Sequence, residues 1–145
     1  MTAATGQGSS MREAVVAVVR DARTAVPRLA RVSTDEKHAA LRAMAARLRA
    51  DQDVILAANT QDVEAARTSD LSAALIDRLM LTGARLDEMA RSVEAVAGLP
   101  DPVGALISEW SRPNGLVIRK VRVPLGVVGI IFESRPNVAS ECASL

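Results

Sequence analysis

The stretch Val127-Val-Gly-Ile-Ile-Phe-Glu-Ser-Arg-Pro-Asn137 decides how this chain is read. Val127 to Phe132 is a continuous apolar run, rich in β-branched residues, and it stops abruptly at a polar turn. Runs of this length read as strands buried on both faces, as in a parallel α/β sheet. Polar groups just past the carboxyl end of such a strand lie where open α/β sheets bind ligands. The residues after the turn should open a helix. The expected fold class is therefore α/β, with helices packed on the start of a parallel sheet.

Working outward, Pro124-Leu-Gly126 leads into the run, and a hairpin precedes it. Pro113-Asn114-Gly115 separates Ile107–Ser111 from the alternating Leu116–Val123, and an Asn-Gly pair between such runs favours a hairpin because both residues tolerate positive φ. The alternation of Val117 with Arg119, and of Ile118 with Lys120, leaves apolar groups for a partner. Upstream of Pro100 the chain is rich in Ala, Arg and Glu with helical periodicity. Ser10-Met-Arg-Glu13 has the capping-box pattern and precedes Val15, Val18, Val19, Ala22, Val26 and Leu29, with Pro27 expected to end or kink that helix. Ser33-Thr-Asp-Glu36 is a second capping box, opening a helix with the stripe Leu41, Met44, Ala45 and Leu48. A third helix starts at Asp51 or Asp53, with Asn59-Thr-Gln-Asp62 polar enough to break or bend it. Ser69 or Ser72 caps a fourth, and Thr82 a fifth carrying Leu86, Met89, Val93 and Val96, with Gly98 and Pro100 as its stop. The expected organisation is a flexible leader over 1–10, a helical part over 11–106, an oligomerisation hairpin over 107–123, and the start of the dinucleotide-binding sheet over 124–145.

Composition narrows the function classes. The chain has 145 residues, 49% of them apolar, enough for one domain with a core. Its 18 basic and 17 acidic residues are interspersed for a net charge of +1, so no footprint for nucleic acid or an anionic membrane emerges. Trp110 and Phe132 alone cannot build a base-stacking platform. No apolar stretch has the length of a membrane span, and the first ten residues lack the pattern of a signal peptide. Cys142, the single cysteine, excludes an internal disulfide and suits a reducing compartment. A cytoplasmic location follows as the expectation.

Few residues invite a chemical role. Cys142 reads as a small buried hydrophobe rather than a nucleophile. His38 has no partner spacing for metal or triad chemistry and reads as solvated. Arg20, Arg23, Arg28, Arg31, Arg42, Arg47 and Arg49 read as a solvated helix face. Gly126-Val-Val-Gly129 is not a dinucleotide fingerprint, and close backbone packing is the expected reason for its glycines. Ser134, Arg135 and Asn137 are the candidates for contact with substrate or oxyanion, since Arg can hold a carboxylate or phosphate bidentately at the mouth of a sheet. Their structural alternative is a turn in which Arg135 pairs with Glu133 and Asn137 caps the next helix.

Pro124-Leu-Gly-Val-Val-Gly-Ile-Ile-Phe-Glu-Ser-Arg-Pro-Asn-Val138 resembles the signature of the gamma-glutamyl phosphate reductase family, within the aldehyde dehydrogenase superfamily. Ile55-Leu-Ala-Ala-Asn59 with Asp62-Val63, Asp77-Arg-Leu79 with Leu81-Thr82, and Leu99-Pro-Asp-Pro-Val-Gly104 extend the resemblance over nearly the whole chain after the leader. Ala139-Ser-Glu-Cys142 departs from the family's usual helix start. The resemblance implies NADPH-dependent reduction of L-glutamyl 5-phosphate to glutamate 5-semialdehyde with release of phosphate, toward proline. It implies a cysteine thiolate that displaces phosphate to form a thioester, which hydride then reduces. It also implies a small-molecule substrate, a homo-oligomer built through the hairpin, and an oxyanion site at the turn, filled by either Arg135 or Asn137. Only the N-terminal portion of the family is covered, so the nucleophile and the dinucleotide turn are expected beyond Leu145, and the chain alone is expected to be inactive and poorly stable. Two alternatives stand beside this reading: a non-catalytic helical interaction module, and another aldehyde or acyl-CoA reductase of the superfamily.

Overall fold

The structure, a computed structural model, describes the backbone of residues 4–133 and 135–145, with side chains from Ser10 onward. In chain order it contains α1 (Ala4–Leu29), α2 (Thr34–Ala50), α3 (Gln52–Arg67), α4 (Ala73–Leu79), α5 (Gly83–Ala97), β1 (Leu106–Ser111), β2 (Val117–Val121) and α6 (Pro136–Ser144). The chain divides into two compact units: one holds Ser33–Pro100 and Ile130–Leu145, the other the residues up to Val32 together with Asp101–Gly129.

In the first unit the core lies between α2 and α5. Ala45, Ala90 and Val93 are fully buried, with Leu41, Met44 and Leu48 packed against them. Alanine at two of the three central positions lets the helix backbones approach closely, and the 3.6-residue spacing keeps Leu86, Met89, Ala90, Val93 and Ala97 on one face of α5. Helix ends are fixed by the side chains that the sequence marks. Ser33 Oγ accepts the Glu36 N–H while the Glu36 carboxylate accepts the Ser33 N–H at 2.9 Å, a complete capping box. Ser72 and Thr82 cap α4 and α5 through the Leu75 and Arg85 amides.

Arg49 corrects the reading of the arginines as a solvated face. Its guanidinium donates to Asp87 Oδ1 at 2.8 Å and to both oxygens of Glu94, at 2.5 and 3.0 Å, tying α2 to α5. These hydrogen bonds hold both carboxyls below the usual carboxylate range. Carboxylates with depressed values contribute stability that is present above their unfolded value and lost as pH falls through the folded one. On taking the chain from about pH 6 to about pH 3, its urea midpoint should fall more steeply than that of Arg49→Met. Parallel pH profiles would remove Arg49 as the cause.

Asn59 gives the second correction. α3 runs unbroken through Asn59-Thr-Gln-Asp62, because the Asn59 side chain turns inward rather than competing for its own backbone. It is buried, donating through Nδ2 to Leu79 O at 2.9 Å and accepting the Leu81 N–H at 2.7 Å. Thr60 returns its hydroxyl to Leu56 O within the helix.

In the second unit α1 begins at Ala4, so Ser10 is inside the helix rather than its cap, and residues 4–10 of the expected leader are helical. Pro27 sits in the last turn, and the helix ends two residues later. β1 and β2 form the antiparallel hairpin, with Trp110 opposite Ile118 and Glu109 opposite Arg119. The last pair is ion-paired across the strands. The turn differs from an Asn-Gly pair with two positive φ angles. The Gly115 N–H donates to Arg112 O, the Arg112 N–H to Leu116 O, and Gly115 takes φ +83° in the left-handed position that follows such a turn.

The expected buried strand is not formed. Residues 127–132 join no ladder, Ile131 is fully exposed, and the sheet among the described residues is the β1–β2 hairpin. A strand exists through its ladder, and no described segment pairs with this run. Helices α2 to α6 pack on one another, and with the β1–β2 hairpin the described residues make an α/β fragment, the fold class expected. The close-packing account of the glycines also falls: Gly126 has φ +91°, and a Cβ on either Gly126 or Gly129 would meet nothing within 4 Å.

Candidate functional site

The polar turn after Phe132 leads into α6, whose N-cap is Arg135 in extended conformation, with Pro136 in the first turn. Proline suits that place because its missing N–H would have no intrahelical acceptor. Asn137 is thus inside the helix and does not cap it. Its Nδ2 donates to Glu141 Oε1 at 2.8 Å, one turn along. Arg135 makes no ion pair with Glu133 among the described residues, and its side chain is exposed. Ser134, the third candidate, lies outside the described residues.

α6 packs beside α5. Between its first turn and the α4–α5 corner is a cleft of about 350 Å³. Arg135 and Asn137 both line it, so the structure brings these two candidates together, at a helix start rather than a strand end. The cleft also takes in Asp77, Arg78, Arg85 and Glu88, which the sequence reading did not single out as site residues.

The corner is built by its hydrogen bonds. Arg85 Nη1 donates to the carbonyls of Asp77 and Met80, and Nη2 donates to the Asp77 carboxylate at 3.1 and 3.2 Å. Asn59 holds the same corner from the other side through Leu79 O and Leu81 N. Arg85 and Asp77 are thereby consumed by structure, as are Asn137 and one oxygen of Glu141. Arg78 and Arg135 keep guanidiniums with no ion-pair partner among the described residues, and Glu88 keeps its carboxylate. The signal for Asn59 was a polar residue whose neighbours one turn away, Ile55 and Val63, are apolar, in a helix otherwise patterned for burial.

Cys142 is half-buried on α6 and does not line this cleft. His38 is half-buried in α2. Among the described residues no group of three His, Cys, Asp or Glu side chains could hold a metal ion, and no helix is long and apolar enough to cross a membrane. The glycines at 126 and 129 open onto free space and start no helix, so they do not fit a phosphate cradle for a dinucleotide.

No protein-family model matches the chain. A gamma-glutamyl phosphate reductase of Geobacillus thermodenitrificans is 52% identical over 123 residues, covering 85% of this chain. One from Novosphingobium aromaticivorans is 50% identical over 136 residues, covering 94%. The crystal structure of gamma-glutamyl phosphate reductase from Thermotoga maritima superposes with a TM-score of 0.85 at 45% identity over 88% of the chain. This chain matches the N-terminal portion of gamma-glutamyl phosphate reductase. The Saccharomyces cerevisiae gamma-glutamyl phosphate reductase shares the fold at a TM-score of 0.83 and 30% identity. The chain spans about 30% of the length of these relatives: 30% and 32% of the two bacterial sequences, and 31% and 32% of the two solved chains.

Proposed function

We propose that this chain serves as the N-terminal portion of an enzyme that reduces L-glutamyl 5-phosphate to L-glutamate 5-semialdehyde, with NADPH as reductant and release of phosphate, in proline biosynthesis. The observation that carries this reading is the 52% identity over 85% of the chain to a gamma-glutamyl phosphate reductase. The net reaction is balanced by one NADPH and one proton consumed per acyl phosphate, giving aldehyde, phosphate and NADP. A small-molecule substrate, a cytoplasmic location and membership of the aldehyde dehydrogenase superfamily belong to the same reading. Within it, the nucleophilic cysteine is contributed from outside these 145 residues. Cys142, half-buried on α6, is not the nucleophile in this reading.

The test uses a chimera in which this chain replaces the matching segment of the Geobacillus thermodenitrificans enzyme. Supplied with glutamate semialdehyde, phosphate and NADP, the chimera should generate NADPH, and the chain alone should not. A folded chimera without turnover would overturn the reading, as would turnover by the chain alone that vanishes in Cys142→Ala.

The reading also includes a homo-oligomer joined through the hairpin. Leu106, Ile107, Trp110, Val117 and Val121 are exposed on the two faces of the β1–β2 hairpin, apolar groups that an association would cover. Changing Val117 and Val121 together to Asp should lower the mass of the chimera in light scattering to that of a smaller assembly. An unchanged mass would remove the hairpin from the interface.

A further inference from the structure

Resting on that reading, we infer that the cleft between α6 and the α4–α5 corner holds the amino-acid head group of the substrate, Arg78 and Arg135 taking its α-carboxylate and Glu88 its α-ammonium. The charge inventory of the cleft supports this over the obvious anionic alternative. Arg78, Arg85 and Arg135 line the cleft of about 350 Å³ together with Asp77, Glu88 and Glu141. Arg85 is neutralised by Asp77, and Glu141 accepts from Asn137. Among the described residues, the guanidiniums of Arg78 and Arg135, with no ion pair, and the Glu88 carboxylate remain. A phosphate would enter a space that also presents the Glu88 carboxylate, a like charge that disfavours it. A zwitterion meets both signs. Guanidinium is suited to a carboxylate because its planar fork matches the two oxygens.

The fold supports the assignment. Arg78 is carried on the corner that Asn59 and Arg85 clamp with hydrogen bonds to Asp77, Leu79, Met80 and Leu81. This gives a short helix of only seven residues a fixed end. Arg135 is placed by the start of α6, where Pro136 sets the backbone. A binding group on such a support keeps its position without being buried, and specificity depends on that placement.

The experiment measures the same chimera in the direction of NADPH formation. Glutamate semialdehyde is compared with 5-oxopentanoate, which lacks the amine, and with pentanal, which lacks amine and carboxylate. Arg78→Ala and Arg135→Ala should each raise KM for glutamate semialdehyde about tenfold or more, the scale of a lost charge-assisted bond, and should shrink the preference for 5-oxopentanoate over pentanal. Glu88→Gln should shrink the preference for glutamate semialdehyde over 5-oxopentanoate. KM for phosphate should stay put in all three, and Arg67→Ala, outside the cleft, should change nothing. A rise in KM for phosphate in the arginine variants would make the cleft a phosphate site, and unmoved preferences would overturn the inference with the function intact. A binding readout separates the remaining case: L-glutamate should raise the melting temperature of the chimera, and this shift should be lost in Arg78→Ala. If the shift is present in a chimera that does not turn over, the function falls and the head-group site stands. If there is no shift, the site falls.

Discussion

Leu86→Ala should lower the unfolding free energy of the chain by about 2–5 kcal/mol. Leu86 and Val93 are the largest fully buried side chains among the described residues, both on the buried face of α5. Removing three carbons there takes away transfer energy and leaves a cavity that rigid helices close only in part. The remaining core is small, with Ala45, Ala90 and Val93 at its centre. Domains of this size hold only about 5–15 kcal/mol in total. The measurement is a urea melt followed by far-ultraviolet circular dichroism, with Leu99→Ala as the comparison, since Leu99 is 57% exposed. Leu99→Ala should stay within about 0.5 kcal/mol of the parent. If the two substitutions cost the same, the α2–α5 contact is not the centre of the core.

The second large effect is expected at Asn59. Leucine there is close in volume and would suit an apolar helix face, yet Asn59→Leu should destabilise by several kcal/mol. It orphans the Leu79 carbonyl and the Leu81 amide together, and each unsatisfied buried group costs about 1–3 kcal/mol. Hydrogen exchange isolates the cause. The Leu81 amide should be protected in the parent and exchange rapidly in Asn59→Leu, while the Ala90 amide, inside α5, keeps its relative protection. A Leu81 amide that stays protected in the variant would show that another acceptor serves it.

The helices were legible because their signals are local. A capping box at Ser33, caps at Ser72 and Thr82, and apolar stripes on α2 and α5 each depend on residues within a turn or two. The hairpin was legible for the same reason, although its turn resolved into a single left-handed glycine at Gly115. The helix through Asn59 was misread because polarity in a window does not say which way a side chain faces. What rescued that helix was a carbonyl and an amide about twenty positions downstream. Arg49 was misread in the same way, its partners being 38 and 45 residues away. The run at 127–132 has the composition of a buried strand, but pairing is a property of two segments, and composition reports only one. Of the residues that line the cleft, Arg135 and Asn137 were singled out from the turn, while Arg78 and Glu88 were not. Nothing in the sequence says that the end of α4 faces the start of α6.

The clasp by which Asn59 reaches Leu79 closes a twenty-residue excursion of the chain. The midpoint of that excursion, at Thr68–Ser72, is exposed, and its polar side chains bond to their own local backbone. Closing a loop costs entropy that grows only with the logarithm of its length. A dozen flexible residues spliced in between Ser69 and Asp70 would lengthen it by roughly half, for a penalty of about 0.4 kcal/mol. That bend is therefore the natural place in this molecule to graft a reporter peptide or an affinity handle, with the cleft and the α2–α5 core left as they are.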